Sequence, residues 1–331
     1  MIDQVRSVRW RAAVAGWWVV ALPAILLAAL CAGHLIGLVR DDYRAYLDMF
    51  SWARTVGWNG VRTFPNSDYG FAALLLLFAE LLPASDVLWF FMVALLGLGV
   101  KFYCFRRYSP AYWVAVLVNV AFFFVLHDYT QLRASLGIAF LMLGVGYLVS
   151  RERYGRMAGS WVLAAGFHVQ TLFAMLFALA CVFSLPAFLG GVAFSLAAGP
   201  LFSWLATHFE RLAVYVNRAA VSLAPNPLSS MKLFEYLTLG LFLYYRAEIR
   251  ACGWKIVELS GWFLLAGIAI FLGMLRFPAV AHRLSEMLFA FMPFVVSGLF
   301  VLMPRRFGVP YVGAGVAIGL WASYRVLYVW Q

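Results

Sequence analysis

Two aspartates and one histidine are the residues whose types and positions best suit acid–base chemistry in this chain. Asp42 and Asp68 lie in a polar stretch after the first apolar run, and His168 lies inside the apolar run 157–184. A carboxylate can bind sugar hydroxyls or accept a proton from one, and an imidazole exchanges protons near neutral pH. These residues also have structural explanations. An Asp-Asp pair such as Asp41-Asp42 is common in solvated loops, and a lone histidine is often a core residue. We predict Asp42 and His168 as alternative bases, with Asp42 preferred.

Arginines are the second feature with a chemical use, because all but three of the 25 basic residues are arginines. One part of this set follows the positive-inside rule. The other part falls in segments that the same rule places outside the membrane: Arg40, Arg44, Arg54, Arg62, Arg133, Arg211, Arg218, Arg276 and Arg283. A guanidinium is permanently charged and can bind a phosphate through two hydrogen bonds. We therefore predict an anion site among the outer arginines.

Two groups of these arginines stand in informative patterns. Gln131 and Arg133 open an apolar helix, where the arginine either binds a diphosphate or extends to the membrane surface. Arg211, Tyr215 and Arg218 are spaced i, i+4, i+7 and would share one face of a helix.

A later segment, His282-Arg283-Leu-Ser-Glu286, brings a histidine, an arginine and a glutamate to one helix face. The spacing fits either a salt bridge where the predicted helix 285–303 starts, or a phosphate-binding arginine that the glutamate positions. Glu80 is a further acid, set within an apolar run. An acid in an apolar segment marks a functional site or a structural ion pair, and both alternatives stay open.

The elements that carry these residues are predicted to be membrane helices. The chain is 65% hydrophobic with a mean hydropathy of +0.88, against about 45–50% apolar residues in soluble domains. We predict one integral membrane domain over 1–331, all-α and polytopic, with about 10–11 transmembrane or re-entrant helices and outer loops 40–68 and 207–231. The predicted spans are 16–39, 86–105, 110–126, 132–150, 187–206, 232–247, 260–278, 285–303 and 309–330.

Two apolar runs do not fit simple spans. With the basic clusters inside, the run 69–83 is predicted to be a short re-entrant or interfacial helix. The run 157–184 must likewise break into two short helices near His168. Non-spanning backbone is tolerated in a bilayer only where it is buried in protein or lines a cavity. Both runs therefore predict a cavity that opens to the outer side.

Composition and motifs exclude several classes of function. The four cysteines have no metal spacing, and the chain has no zinc motif, nucleotide-binding loop or serine elbow, so we expect no metal and no cofactor. The sequence pI is about 9.7. The basic residues are dispersed among helix ends, however, which excludes nucleic acid as a partner and favours anionic membrane lipids.

Five short motifs, taken in order, resemble those of a known family. They are Asp42-Tyr43-Arg-Ala-Tyr46, Asp68-Tyr-Gly70-Phe71, the helix start from Arg133 to Ala139, Phe167-His168, and Arg283-Leu284. The order is similar to that of the EpsG-like branch of Wzy-type polysaccharide polymerases and spans residues 40–290. The chain departs from the pattern at Asp68, where glutamate is usual, and at Ala134, where glutamine is common, although Gln131 lies nearby.

The resemblance implies a GT-C-like glycosyltransferase that polymerises undecaprenyl-diphosphate-linked oligosaccharide repeat units into O-antigen or exopolysaccharide. It implies a bacterial inner membrane location, with the active site facing the periplasm or cell exterior. The implied partners are the undecaprenyl-diphosphate-linked glycans, membrane lipids and a chain-length regulator. The residues expected to bind substrate are Arg133, Arg211, Arg218 and Arg283 at the diphosphate, with Arg40, Tyr43, Tyr46, Asp68, Gln131, Tyr215 and Glu286.

Other functions fit the same features. An O-antigen-type ligase would move the polymer to another acceptor. A transporter or flippase of an anionic lipid-linked sugar would also use outer arginines, but the chain lacks the inverted repeats typical of many transporters. A structural scaffold would leave the outer arginines without a role.

Overall fold

The computed structural model describes residues 18–33, 40–64, 68–82, 85–150, 154–208 and 226–328. Within these ranges the chain forms helices and no β-strand, which confirms the predicted all-α class. The helices are α1 (Trp18–Ala32), α2 (Arg40–Val56), a 3₁₀ helix (Trp58–Thr63), α3 (Tyr69–Leu81), α4 (Asp86–Tyr108), α5 (Tyr112–Asn119), a π-helix (Val120–Tyr129), α6 (Leu132–Ser150), α7 (Tyr154–Phe167), α8 (Thr171–Phe183), α9 (Leu185–His208), α10 (Ser230–Tyr244), α11 (Arg246–Ala251), α12 (Lys255–Gly273), α13 (Pro278–Phe289), α14 (Met292–Leu302) and α15 (Arg305–Tyr328).

The first of two compact units combines Met1–Leu172 with Val312–Gln331. In it, α6 packs against α4 and α7, and α1 packs along α4. Ser85 caps α4 by accepting a hydrogen bond from the N–H of Leu88 at 3.3 Å. An aromatic core forms where α2, α3 and α4 meet: Phe50, Phe71, Trp89 and Phe90. These contacts fix the start of α3 beside α6, where the candidate site lies.

The second compact unit covers Phe173–Tyr311. Its α12 packs against α9, α13 and α14. Lys232 of α10 is buried, with its Nζ 2.9 Å from Oε2 of the buried Glu235. The same Nζ lies 4.2 Å from the ring centroid of Phe271 and 4.1 Å from that of Phe289. One paired cation therefore holds α10, α12 and α13 together.

Five of the described helices are long and apolar enough to cross a membrane, which makes the chain a polytopic membrane protein. They are Asp86–Tyr108, the combined segment Tyr112–Tyr129, Leu132–Ser150, Lys255–Gly273 and Arg305–Arg325. A sixth crossing is formed if α13 and α14, which are bent by 47° at a short break, act as one span.

The two irregular apolar runs have the predicted helical form. The run 69–83 contains α3, which has 13 residues and falls short of a full span. The run 157–184 is divided between α7 and α8, with His168 at the break. The segment 40–68, predicted to be an outer loop, contains α2 and the 3₁₀ helix, and its location outside the membrane stays a prediction.

The helix predicted to begin at residue 285 begins earlier. Pro278 starts α13, where its fixed φ and missing N–H suit the first helical turn. His282 and Glu286 consequently lie inside α13 rather than at its start, and Nδ1 of His282 lies 3.9 Å from Oε1 of Glu286 on the next turn. The helix ends at Phe289 and the chain bends before α14, so the predicted span 285–303 is broken.

Candidate active site

The centre of the candidate site is an ion pair between Asp68 and Arg133. Asp68 directly precedes α3, and Arg133 lies in the first turn of α6. The Nη1 of Arg133 donates to Oδ2 of Asp68 at 2.6 Å, and the side chains are 23% and 5% exposed, respectively. Two motifs that are 65 residues apart in the sequence therefore meet through opposite charges.

His168 lies beside this ion pair, in the break between α7 and α8. Its Nδ1 lies 4.0 Å from Oδ2 of Asp68, and its Nε2 lies 3.2 Å from Oε1 of Gln170. The backbone N–H of Val169 donates to Oδ1 of Asp68 at 3.3 Å. Oδ1 of Asp68 thus holds the helix break, and Oδ2 of Asp68 holds Arg133.

Close backbone packing brings the two motifs together. A Cβ atom at Gly70 would lie 2.7 Å from the backbone carbon of Gly166, so α3 and α7 approach at a distance that a side chain would prevent. A Cβ atom at Gly137 would lie 2.7 Å from the Cβ of His168. Gly70, two residues after Asp68, therefore permits the close helix contact that brings the acid to the histidine.

Tyr46 contributes to the site from α2, although its ring does not face outward. The residue is 6% exposed, and its ring packs edge-on against Phe71 and Phe90. Its hydroxyl accepts a hydrogen bond from the backbone N–H of Arg133 at 3.3 Å. A sugar cannot stack on this buried ring, so in place of the predicted substrate contact Tyr46 makes a contact that holds the start of α6.

Asp68 also has a role different from the one predicted. It is 3% exposed, and both of its oxygens accept hydrogen bonds from the protein. The sequence predicts direct substrate binding, whereas the geometry is that of a residue that positions Arg133 and the helix break. Among the described residues, Nε of Arg133 and Nδ1 of His168 are buried without a hydrogen-bond partner.

Gln170 is a site residue that the sequence analysis did not identify. Its amide oxygen faces Nε2 of His168. The sequence feature that identifies Gln170 is its position two residues after His168 in an interrupted apolar run. Gln131, which is predicted to bind substrate, contributes to the start of α6 through its backbone. Its N–H donates to the carbonyl of His127 at 3.1 Å, and its carbonyl accepts from the N–H of Ser135 at 2.9 Å.

Several predicted residues lie elsewhere or outside the described residues. The side chains of Arg40, Asp42 and Tyr43 lie outside the part that the structure describes, although α2 begins at Arg40. The whole of 209–225, with Arg211, Tyr215 and Arg218, also lies outside it.

Arg283 and Glu286 belong to the second unit. Arg283 is exposed, and Oε1 of Glu286 lies 3.9 Å from Nδ1 of His282. Glu80 is exposed at the end of α3 and accepts a hydrogen bond from the indole N–H of Trp58. Of the two alternatives for Glu80, this hydrogen bond fits a structural role, here with an indole as the partner.

The assembled residues can do two kinds of chemistry. Asp68 engages one of the guanidinium nitrogens of Arg133, and the remaining donors can bind an anion. The start of α6 adds its partial positive charge. His168 offers an imidazole for proton exchange. Among the described residues, no group of three or more His, Cys, Asp and Glu is arranged to hold a metal ion.

A comparison with protein families supplies the identity. A family model described as the EpsG family matches residues 18–309, which is most of the chain and includes every described residue of the site. No curated protein and no solved structure shows a significant match to the chain. The chain therefore belongs to the EpsG family and is a polysaccharide polymerase-type membrane protein.

Proposed function

We propose that the chain is a membrane glycosyltransferase that polymerises undecaprenyl-diphosphate-linked oligosaccharide repeat units into O-antigen or exopolysaccharide. The observation that supports this most directly is the cluster of Asp68, Arg133 and His168 at a helix break, in a chain of the EpsG family. The cluster combines a cation that can bind a diphosphate with an imidazole that can accept a hydroxyl proton. Transfer of a sugar from a lipid diphosphate requires both functions.

In the proposed reaction, a hydroxyl of one lipid-linked repeat unit attacks the anomeric carbon of the growing chain. A new glycosidic C–O bond forms, and the bond from the anomeric carbon to the diphosphate oxygen breaks. Arg133 stabilises the negative charge that develops on the leaving diphosphate. The prediction from the sequence that Arg211, Arg218 and Arg283 bind a diphosphate stays a proposal, made without reference to their position relative to Arg133.

The proton of the attacking hydroxyl is proposed to pass to His168. Asp68 is a poor candidate for this task, because its oxygens already accept from Arg133 and Val169. The side chain of His168 is 18% exposed. Its Nε2 carries the proton when it donates to the amide oxygen of Gln170, which leaves the lone pair of Nδ1 to accept the hydroxyl proton. Asp42 remains the alternative base, since it lies in the same predicted outer region.

We further propose that this site faces the periplasm or cell exterior from a bacterial inner membrane. The support is the charge bias of the predicted inner segments, which puts 151–156 inside. A cysteine introduced at position 153 of a variant without the native cysteines should resist an impermeant thiol reagent applied to intact spheroplasts. A cysteine at position 129 should react under the same conditions. Labelling of position 153 from outside would reverse the proposed orientation.

The reaction itself is tested with purified protein in detergent and lipid-linked repeat units. A ladder of products, each one repeat longer than the last, is the expected result, and His168→Ala protein serves as the inactive control. A single transfer product on another acceptor would point to a ligase. Unchanged substrate in detergent, with movement of the same lipid across proteoliposomes, would point to a flippase. Either result would replace the proposed function.

A further inference from the structure

A second polar cluster is buried in the first unit, outside the candidate active site. Lys101 lies within the apolar helix α4 and is 1% exposed, and Asp128 lies in the π-helix and is 0% exposed. The Nζ of Lys101 donates to Oδ1 of Asp128 at 2.6 Å and to Oγ of Ser135 at 3.2 Å. The hydroxyl of Ser135 in turn donates to the same Oδ1. Three elements, α4, the π-helix and α6, therefore meet at one carboxylate oxygen.

Stability alone does not account for this cluster. Apolar side chains of similar volume often stabilise an interior as well as a buried ion pair does, because charges lose their hydration on burial. Moreover, Oδ2 of Asp128 is buried without a hydrogen-bond partner among the described residues, so the carboxylate is not fully satisfied. Buried ionic groups do, however, fix the register of neighbouring helices, since a shift would separate the charges.

The π-helix places the carboxylate of this cluster. Over Val120–Tyr129 the chain makes wide turns, and the N–H of Thr130 donates to the carbonyl of Val125 at 3.2 Å. Such segments change which side chains face a neighbouring helix and are often found at functional sites. Here the altered register brings Asp128 to Lys101.

The register that the cluster fixes is that of the start of α6. Ser135 lies two residues after Arg133, in the first turns of the helix. A Cβ atom at Gly97 would lie 2.8 Å from Oγ of Ser135, so α4 and α6 are in close contact at this level. A shift of α6 along α4 would break the contacts of Ser135 and would also move Arg133 away from Asp68.

We propose that Lys101, Asp128 and Ser135 are positioning residues that hold Arg133 in place against Asp68 and His168. The proposal rests on the proposed function in that Arg133 is taken to bind the diphosphate. None of the three residues is proposed to touch substrate. They act by fixing where α6 begins relative to α4.

The test uses the purified full-length chain and two readouts. The first is hydrogen–deuterium exchange of residues 127–137, which reports on the start of α6 without any substrate. The second is the rate of chain extension. The main variant, Lys101→Met with Asp128→Asn, removes both charges and leaves no unpaired ion behind. The milder variant Ser135→Ala removes one hydroxyl and keeps the ion pair.

For the double variant we expect exchange in 127–137 about tenfold faster and chain extension about 10- to 100-fold slower, because small displacements of a binding group have effects of this size. Ser135→Ala should change both readouts in the same directions by a smaller factor. The matched control is Lys232→Met with Glu235→Gln, which removes the buried pair of the second unit and should leave exchange in 127–137 unchanged.

Native exchange and native extension in Ser135→Ala, or in a folded double variant, would overturn the proposal. So would faster exchange with an unchanged extension rate, because the cluster would then stabilise α6 without affecting the site. If the unmodified chain does not extend glycans, the proposed function fails, and the exchange measurement still reports whether the cluster fixes α6.

Discussion

The ion pair between Asp68 and Arg133 leads to a quantitative prediction for Asp68→Asn. The carboxylate accepts from Val169 N through Oδ1 and from Arg133 Nη1 through Oδ2. An asparagine has one amide oxygen, and its NH₂ group would face the other donor. One of the two hydrogen bonds is therefore lost. A buried donor without its partner costs about 1–3 kcal/mol, and the 23% exposure of the Arg133 side chain lets water compensate for part of this.

We expect Asp68→Asn to lower the free energy of unfolding by about 1–2 kcal/mol. The larger effect should be on chain extension, since Arg133 and the helix break both lose their common partner, and a fall of about 10- to 100-fold is expected. The assay measures extension per amount of folded membrane protein, together with the melting temperature. Asp68→Glu is the matched control, because it keeps both oxygens and the charge, and it should extend faster than the asparagine variant.

One result would refute this role of Asp68. If Asp68→Asn melts at the temperature of the unmodified chain and extends at the same rate, neither Arg133 nor the break at His168 depends on the carboxylate. The contacts seen in the structure would then be incidental to the site.

Three further predictions concern the same site. Arg133→Ala and Arg133→Lys should both lose extension activity per amount of folded protein, because lysine cannot form two parallel hydrogen bonds to a phosphate; full activity of the lysine variant would leave only a point-charge role. His168→Ala and His168→Gln should slow extension by about 10²–10⁴-fold while lipid-diphosphate binding persists; if instead only Asp42→Asn shows this loss, Asp42 is the base. Gly70→Ala should destabilise the chain by about 1–3 kcal/mol and slow extension, since its Cβ would meet the backbone of α7. Thermal unfolding checks this against Gly155→Ala, where a Cβ would have no neighbour within 4 Å.

The sequence was informative about the site where short motifs and helix breaks coincide. Asp68, Arg133 and His168 can each be identified from the sequence, by a motif or by an interruption of an apolar run. The helix start at Arg133 and the break at His168 were also predicted, because polar residues and length limits mark the ends of membrane helices. Their distances from each other were not predictable, since these depend on the approach of Gly70 to Gly166.

Other features of the structure cannot be predicted from hydrophobic periodicity or from charge bias. A lysine within a predicted span can be recognised as unusual, yet nothing in the sequence shows that Lys101 pairs with Asp128, because the pairing depends on a π-helix. The sequence predicts Tyr46 as a substrate-binding residue, since an aromatic residue in a predicted loop is expected to be exposed. The segment is a helix instead, and the ring packs into the core of the first unit.

The approach of α3 to α7 also explains how the short side chain of Asp68 serves two partners. An aspartate reaches two partners only if both come close to its own backbone. Gly70 allows this, because a Cβ there would lie 2.7 Å from the backbone carbon of Gly166 and would separate the two helices. Asp68 is then near enough for Oδ1 to accept from the N–H of Val169, while Oδ2 accepts from Arg133. The acid and Gly70 therefore form one unit, in which the close helix contact makes the short carboxylate sufficient.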